Sequence, residues 1–145
     1  MDQYPHRYRA AAAAASEGAV EVSSEGLVSL TTMPPRQFGG PGDQWSPEAM
    51  LVAAVADCYV LTFRAIARAS HLEWHSLSCA AEGILDRIEN VTRFTRFNLE
   101  ARLGVPAGTD EHKARRLLEK AEAVCLISSS LNAEKHLEIH LDFAA

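Results

Sequence analysis

One stretch limits what this chain can fold into more than any other: Ser46-Pro47-Glu48, followed by the apolar run Ala49 to Val60. Serine accepts a hydrogen bond from a free amide at a helix start. Proline suits the first turn, and glutamate complements the positive end of the helix dipole. The run is apolar nearly all round for its first three turns, so the pattern predicts a buried central helix from Ser46 to about Ser70. Other elements should cover it on several sides. Asp57 breaks the run, and Arg64 and Arg68 follow it. It therefore falls short of the ~20 residues a membrane span needs.

With 145 residues, one domain spanning 1–145 is expected, and 48% hydrophobic against 23% charged residues suit an ordinary core. A net charge of −5 with no basic stripe argues against nucleic acid as a partner. The N-terminus lacks an apolar leader with a cleavage site, so the expected setting is cytoplasmic.

Around this helix the pattern alternates. Ala19 to Ser23 and Leu27 to Thr32 flank Ser24-Glu25-Gly26, the signature of a β-hairpin. Arg9 is followed by six alanines whose helix propensity has too little length to act on, so their state is open. A long loop, Met33 to Trp45, carries two prolines and Gly39-Gly40-Pro41-Gly42. Loops of that length inside a compact domain tend to be functional or disordered. Two long strands, His75 to Leu85 and Thr92 to Val105, set apolar residues against polar ones with period two, the mark of an antiparallel sheet with one wet face. A second helix, from about Asp110 to Cys125, carries the stripe Ala114, Leu117, Leu118, Ala121, Val124, Cys125. A last strand runs from Lys135 to Phe143. Strands and helices are partly segregated, an α+β pattern.

Three cysteines, an odd number, argue against a structural disulfide framework. Cys58 lies inside the first helix and Cys125 ends the second. The ordinary reading of each is a buried core thiol. Cys79, on the inward face of a strand, reads as packing. A reactive cysteine needs a cation or a helix N-terminus beside it. Cys58 sits twelve residues past Ser46, beyond the reach of its own helix dipole, and Asp57 adjoins it. Any activation must come from elsewhere in the fold. Glu48 is offset from Cys58 by about 80° around the helix, so the two could share a pocket wall without stacking.

His136, Glu138, His140 and Asp142 share one face of the last strand. Neighbours on such a face stand about 7 Å apart, wide for joint ligation. A solvated face is the expected state and no metal is assigned, with a metal site at His136 and His140 as the weaker alternative. No phosphate loop, dinucleotide fingerprint or nucleophile elbow is present, so no cofactor is expected.

The block Phe38 to Tyr59, with Ser-Pro-Glu at 46–48 and cysteine ten residues after Glu48, resembles the OsmC/Ohr family of osmotically inducible and organic hydroperoxide resistance proteins. So does Ala123-Val124-Cys125-Leu126-Ile127-Ser128-Ser129-Ser130. The element order agrees along nearly the whole chain. The resemblance implies antiparallel sheets wrapped around two long central helices in an intertwined homodimer, with the alanine-rich N-terminal segment as a strand. It implies that Cys58 is the peroxidatic cysteine and Cys125 the resolving one, and that Glu48 pairs with an arginine beside the reactive thiol. It also implies reduction of a small organic hydroperoxide through a Cys58 sulfenic acid and a Cys58–Cys125 disulfide. A dithiol reductant, lipoyl-type in some members, recycles that disulfide. In the hydroperoxide-resistance branch the activating arginine lies in the N-terminal turn, where this chain has Ala15-Ser16-Glu17-Gly18-Ala19. Arg36, Arg7 and Arg9 are the candidates to replace it. The broader OsmC-like grouping fits better. The competing expectation is a non-catalytic small-molecule-binding dimer that keeps the fold and cysteines without a tuned thiolate.

Overall fold

The structure, a computed structural model, describes residues 2–145. Its contacts divide the chain into two compact units, one up to Leu51 and one from Val52 to Ala145.

The first unit holds a three-stranded antiparallel sheet of β1 (Ala11–Ala13), β2 (Val20–Ser23) and β3 (Leu30–Thr32), in that order. Ala11, Ala12 and Ala13 pair with Ser23, Val22 and Glu21. Ladder hydrogen bonds to β2 thus override the helix propensity of the alanines. The hairpin expected from Ser24-Glu25-Gly26 joins β2 to β3. The glycine-rich loop after β3 is closed upon itself: Thr32 bridges Trp45, and the Met33 amide donates to the Trp45 carbonyl at 2.9 Å. A short 3-10 turn, Arg36–Phe38, ends at Gly39 with φ 88°. Gly42 also has positive φ, and its missing side chain leaves room for Arg36. Two of the loop's glycines are therefore demanded by its own geometry.

Helix α1 (Pro47–Ala69) begins as expected: the Ala49 amide donates to Ser46 Oγ at 3.1 Å, and the Met50 amide to the Ser46 carbonyl at 2.9 Å. The helix has 23 residues, and its most apolar 18-residue window has a mean hydropathy of 1.7. By length and composition it could cross a membrane, which corrects the expectation that Asp57 and the arginines cut it short. A core helix can meet the same test, and Val55, Tyr59, Phe63 and Ala67 form a fully buried stripe along it. The remaining apolar side chains are only partly covered, unlike the all-round burial expected; Leu61 is 51% exposed.

The second unit is built on β4 (Ser76–Ile88), β5 (Val91–Val105) and β6 (Glu134–Phe143), in sheet order β4-β5-β6. Glu89 and Asn90 have φ of 50° and 64°, the left-handed pair that a two-residue hairpin turn between twisted strands requires. β5 is the central strand, so its inward residues Phe97, Leu99, Ala101, Leu103 and Val105 are the most deeply buried of the sheet. Helix α2 (Glu111–Val124) is capped by Asp110, which accepts from the Lys113 amide, and buries Ala114, Leu117, Leu118 and Ala121. Gly83 lets α1 approach β4: a Cβ there would meet Val52 and Phe94 at 2.8 Å. One pairing departs from the antiparallel expectation. β6 runs parallel to β5, with Leu99 opposite Leu137 and Glu100 opposite Glu138. The helical connection between the two strands is long enough to return the chain in the same direction, so a mixed sheet results.

Candidate active site

Cys58 lies midway along α1 and is half-buried, while Asp57 is exposed on another side of the helix. Tyr59, the next residue, is fully buried, and its hydroxyl donates to the Leu118 carbonyl of α2 at 3.0 Å. That bond ties α1 to α2 beside the thiol. Burial holds the Tyr59 phenol in its neutral form by pushing its pKa up, with Cys79 and Glu122 adding to the shift.

The sequence pattern carries α2 through to Cys125. Instead the helix stops at Val124, and Cys125 takes an extended conformation, φ −60° and ψ 120°. A four-residue helix, α3 (Leu126–Ser129), starts immediately after it. The Ser129 amide returns to the Cys125 carbonyl at 2.9 Å, as does the Ser128 hydroxyl at 3.5 Å. In such a start the first amides have no helical acceptor and are free to point outward.

Those amides favour the ionised form of Cys58. Burial of the Cys58 thiol opposes its ionisation. The Ile127 amide, the Cys125 thiol, the Thr62 hydroxyl and the Leu126 amide outweigh it and hold the thiol pKa below its ordinary value. Thr62, one helical turn on, lies 3.7 Å from the sulfur. The break at Cys125 therefore does two things. It sets the second cysteine against the first, and it turns two amide donors toward a developing thiolate. Cys125 itself is 1% exposed. Cys79 has the opposite character: burial, with Cys125 as a lesser cause, pushes its thiol up to about 11. Its inward position agrees with packing.

Among the described residues of 52–145, no cationic side chain is among the groups that shift Cys58. Arg7, Arg9, Arg36 and Glu48 belong to the other unit. There Glu48 sits in the first turn of α1 with its Oε1 buried and without a hydrogen-bond partner. Among the described residues it forms no ion pair. Sequence reasoning missed Thr62 and the two amides. Thr62 had a legible signal, standing four residues after Cys58 on the same helix face. The amides carry no side-chain signal, and Ser128-Ser129-Ser130 was the one hint that the second helix weakens there.

The family model for OsmC-like proteins matches residues 40–140 of this chain. The chain belongs to the OsmC-like family. It is 30% identical over 123 residues to the uncharacterized protein YmaD of Bacillus subtilis (strain 168), covering 81% of this chain and 80% of that one. An OsmC-like protein of unknown function from Vibrio cholerae superposes with a TM-score of 0.83 at 21% identity, over 93% of this chain and 99% of the other. An organic hydroperoxide resistance protein OsmC from Legionella pneumophila gives 0.75 at 24% identity, over 97% and 99%. One from Elizabethkingia anophelis, described as an organic hydroperoxide resistance protein with thiocyanate bound, gives 0.78 at 19%, over 99% and 100%. The α+β fold of this OsmC-like protein is thus that of its family.

Proposed function

We propose that this OsmC-like protein is a cysteine-based peroxidase that reduces small organic hydroperoxides to alcohols. The observation that carries the reading is the placement of the Cys58 thiol against Cys125 and the amides of Leu126 and Ile127, with its pKa held down. A thiol so placed supplies the thiolate that attacks the outer peroxide oxygen. The O–O bond breaks, the alkoxide takes a proton and leaves as alcohol, and Cys58 becomes a sulfenic acid. The Cys125 sulfur then attacks the Cys58 sulfur and water departs, leaving a disulfide. A dithiol reductant, itself oxidised to a disulfide, returns both thiols. The names of the hydroperoxide-resistance relatives support this choice of substrate. The half-covered apolar face of α1 supports a homodimer in which a second copy shields it, working in the cytoplasm.

Hydroperoxide consumption with a dithiol reductant tests the reading. Cys58→Ser should abolish turnover, and a variant that turns over unchanged would sink it. A second reading, a small-molecule-binding dimer without a competent thiolate, draws on the absence of a cation among the described residues of 52–145 that act on Cys58. Alkylation rate against pH separates the two: a Cys58 apparent pKa below the ordinary thiol value supports the enzyme, and one at or above it supports the binder.

A further inference from the structure

The outer face of the β4-β5-β6 sheet was expected to be an ordinary solvated surface. Its register makes it something else. In the parallel ladder Glu100 of β5 stands directly opposite Glu138 of β6, and Arg102 stands opposite His140. Like charges placed opposite each other across a ladder repel. On its other side Glu100 faces Ala80, which offers no countercharge. The nearby cations are engaged elsewhere. Arg102 donates to both oxygens of Asp142 at 3.1 and 3.2 Å, Arg96 donates to Asn98 at 2.7 Å, and His136 lies 3.7 Å from Glu134.

What remains for the two carboxylates is His140. Its Nε2 lies 3.2 Å from Oε1 of Glu100 and 3.2 Å from Oε1 of Glu138. The nitrogen is shielded from solvent yet makes a hydrogen bond to neither oxygen. A single N–H can align with one acceptor, and here it aligns with neither. The nitrogen thus faces the space shared by two anionic oxygens. The three donor atoms all lie within 4.8 Å of one another. Ligands about 2.1 Å from a common ion stand roughly 3.0 Å apart at right angles and roughly 3.4 Å apart in a tetrahedron. The two separations from His140, 3.2 Å each, fall in that interval. One imidazole and two carboxylates form a borderline-to-hard donor set, suited to zinc and its divalent neighbours rather than to a soft ion.

We propose that Glu100, Glu138 and His140 form a binding site for a divalent first-row metal ion of the zinc class, bridging β5 and β6, with remaining positions open to water. The site shares no residue with the thiol centre, so it stands or falls independently of the peroxidase reading. Crossing the ladder is what brings the ligands together. His140 and Glu138 are two apart on one strand, and Glu100 from the neighbouring strand completes the set.

The test is titration of the full-length, chelator-treated protein with Zn2+ by calorimetry and with Co2+ by visible absorption. One equivalent should bind per chain, and the cobalt spectrum should lack the intense sulfur-to-metal band that ligation by Cys58 or Cys125 would give. Glu100→Gln, Glu138→Gln and His140→Gln should each weaken binding by roughly ten-fold or more. Glu134→Gln and His136→Gln should leave it unchanged. All five positions are on the wet face, and circular dichroism checks that each variant folds. Absence of stoichiometric binding overturns the proposal. So does equal binding by His140→Gln, or a cobalt spectrum dominated by sulfur.

Discussion

Tyr59→Phe removes one hydroxyl from the centre of the second unit, and its cost can be worked from the structure. The side chain is fully buried, and the hydroxyl donates to the Leu118 carbonyl at 3.0 Å. Leu118 lies inside α2, so its carbonyl also accepts the ordinary helix bond from four residues on. Losing the tyrosine therefore removes a hydrogen bond without orphaning the acceptor. The expected loss is about 1 kcal/mol, not the full penalty of an unsatisfied buried group, which reaches about 3 kcal/mol. For a chain of this size that lowers Tm by about 2–4 °C. Thermal and urea melts at one fixed protein concentration measure it, because self-association would make the value concentration-dependent. A change near zero would mean that the hydroxyl is not bonded to α2 in solution. A loss well above 3 kcal/mol would mean that the carbonyl has no other partner. Either result refutes the account of how α1 is fastened beside Cys58.

Leu126→Pro probes the amide cradle. Cys125 is already extended, as the residue before a proline should be, and position 126 is the first of α3, where proline is tolerated. The variant should fold, lose one donor to Cys58, and show a raised apparent thiol pKa by alkylation; an unchanged value would remove that amide from the cause. Cys79→Ala probes stability at high pH. The Cys79 pKa is raised to about 11 from an ordinary 9.0, so the stability that depends on its neutral form is complete below pH 9 and lost as pH rises through 11. Chemical denaturation between those pH values should show a steeper decline in the wild type than in the variant, and parallel declines would contradict the assigned burial.

Much of this was legible in the residues, for physical reasons. Ser46-Pro47-Glu48 starts α1 by local capping chemistry, which needs no tertiary partner. The alternation of Phe97, Leu99, Ala101, Leu103 and Val105 named the buried face of β5, because a half-buried strand has period two. The alanine run was not legible from propensity, since its strand state comes from pairing with β2. Nor was the parallel return of β6, because alternation marks a face and not a direction. At the thiol centre, the two cysteines could be named from the sequence, but two of the four groups that favour ionisation of Cys58 are backbone amides. Their direction depends on a one-residue break in the helix at Cys125, which an unbroken apolar stripe conceals.

That break also bears on how the proposed disulfide is reduced. Two considerations oppose each other. A thiolate of lowered pKa is the better leaving group, which favours attack on Cys125 with release of Cys58. Access favours the reverse, since Cys125 is 1% exposed and Cys58 is half-buried. A reductant must bring its sulfur into line with the S–S bond, so a buried target sulfur blocks the reaction whatever its leaving group. Access should decide, and the incoming dithiol should form its mixed disulfide on Cys58. The wild-type disulfide makes this measurable. After one equivalent of hydroperoxide has formed it, a monothiol probe is trapped on the sulfur it attacks, and mass mapping of the peptides locates it. In the wild-type disulfide, brief exposure to the same probe should label Cys58 in preference to Cys125. Labelling mainly on Cys125 would show that oxidation opens the α2–α3 joint, because a cysteine buried at that junction cannot be reached while the joint holds.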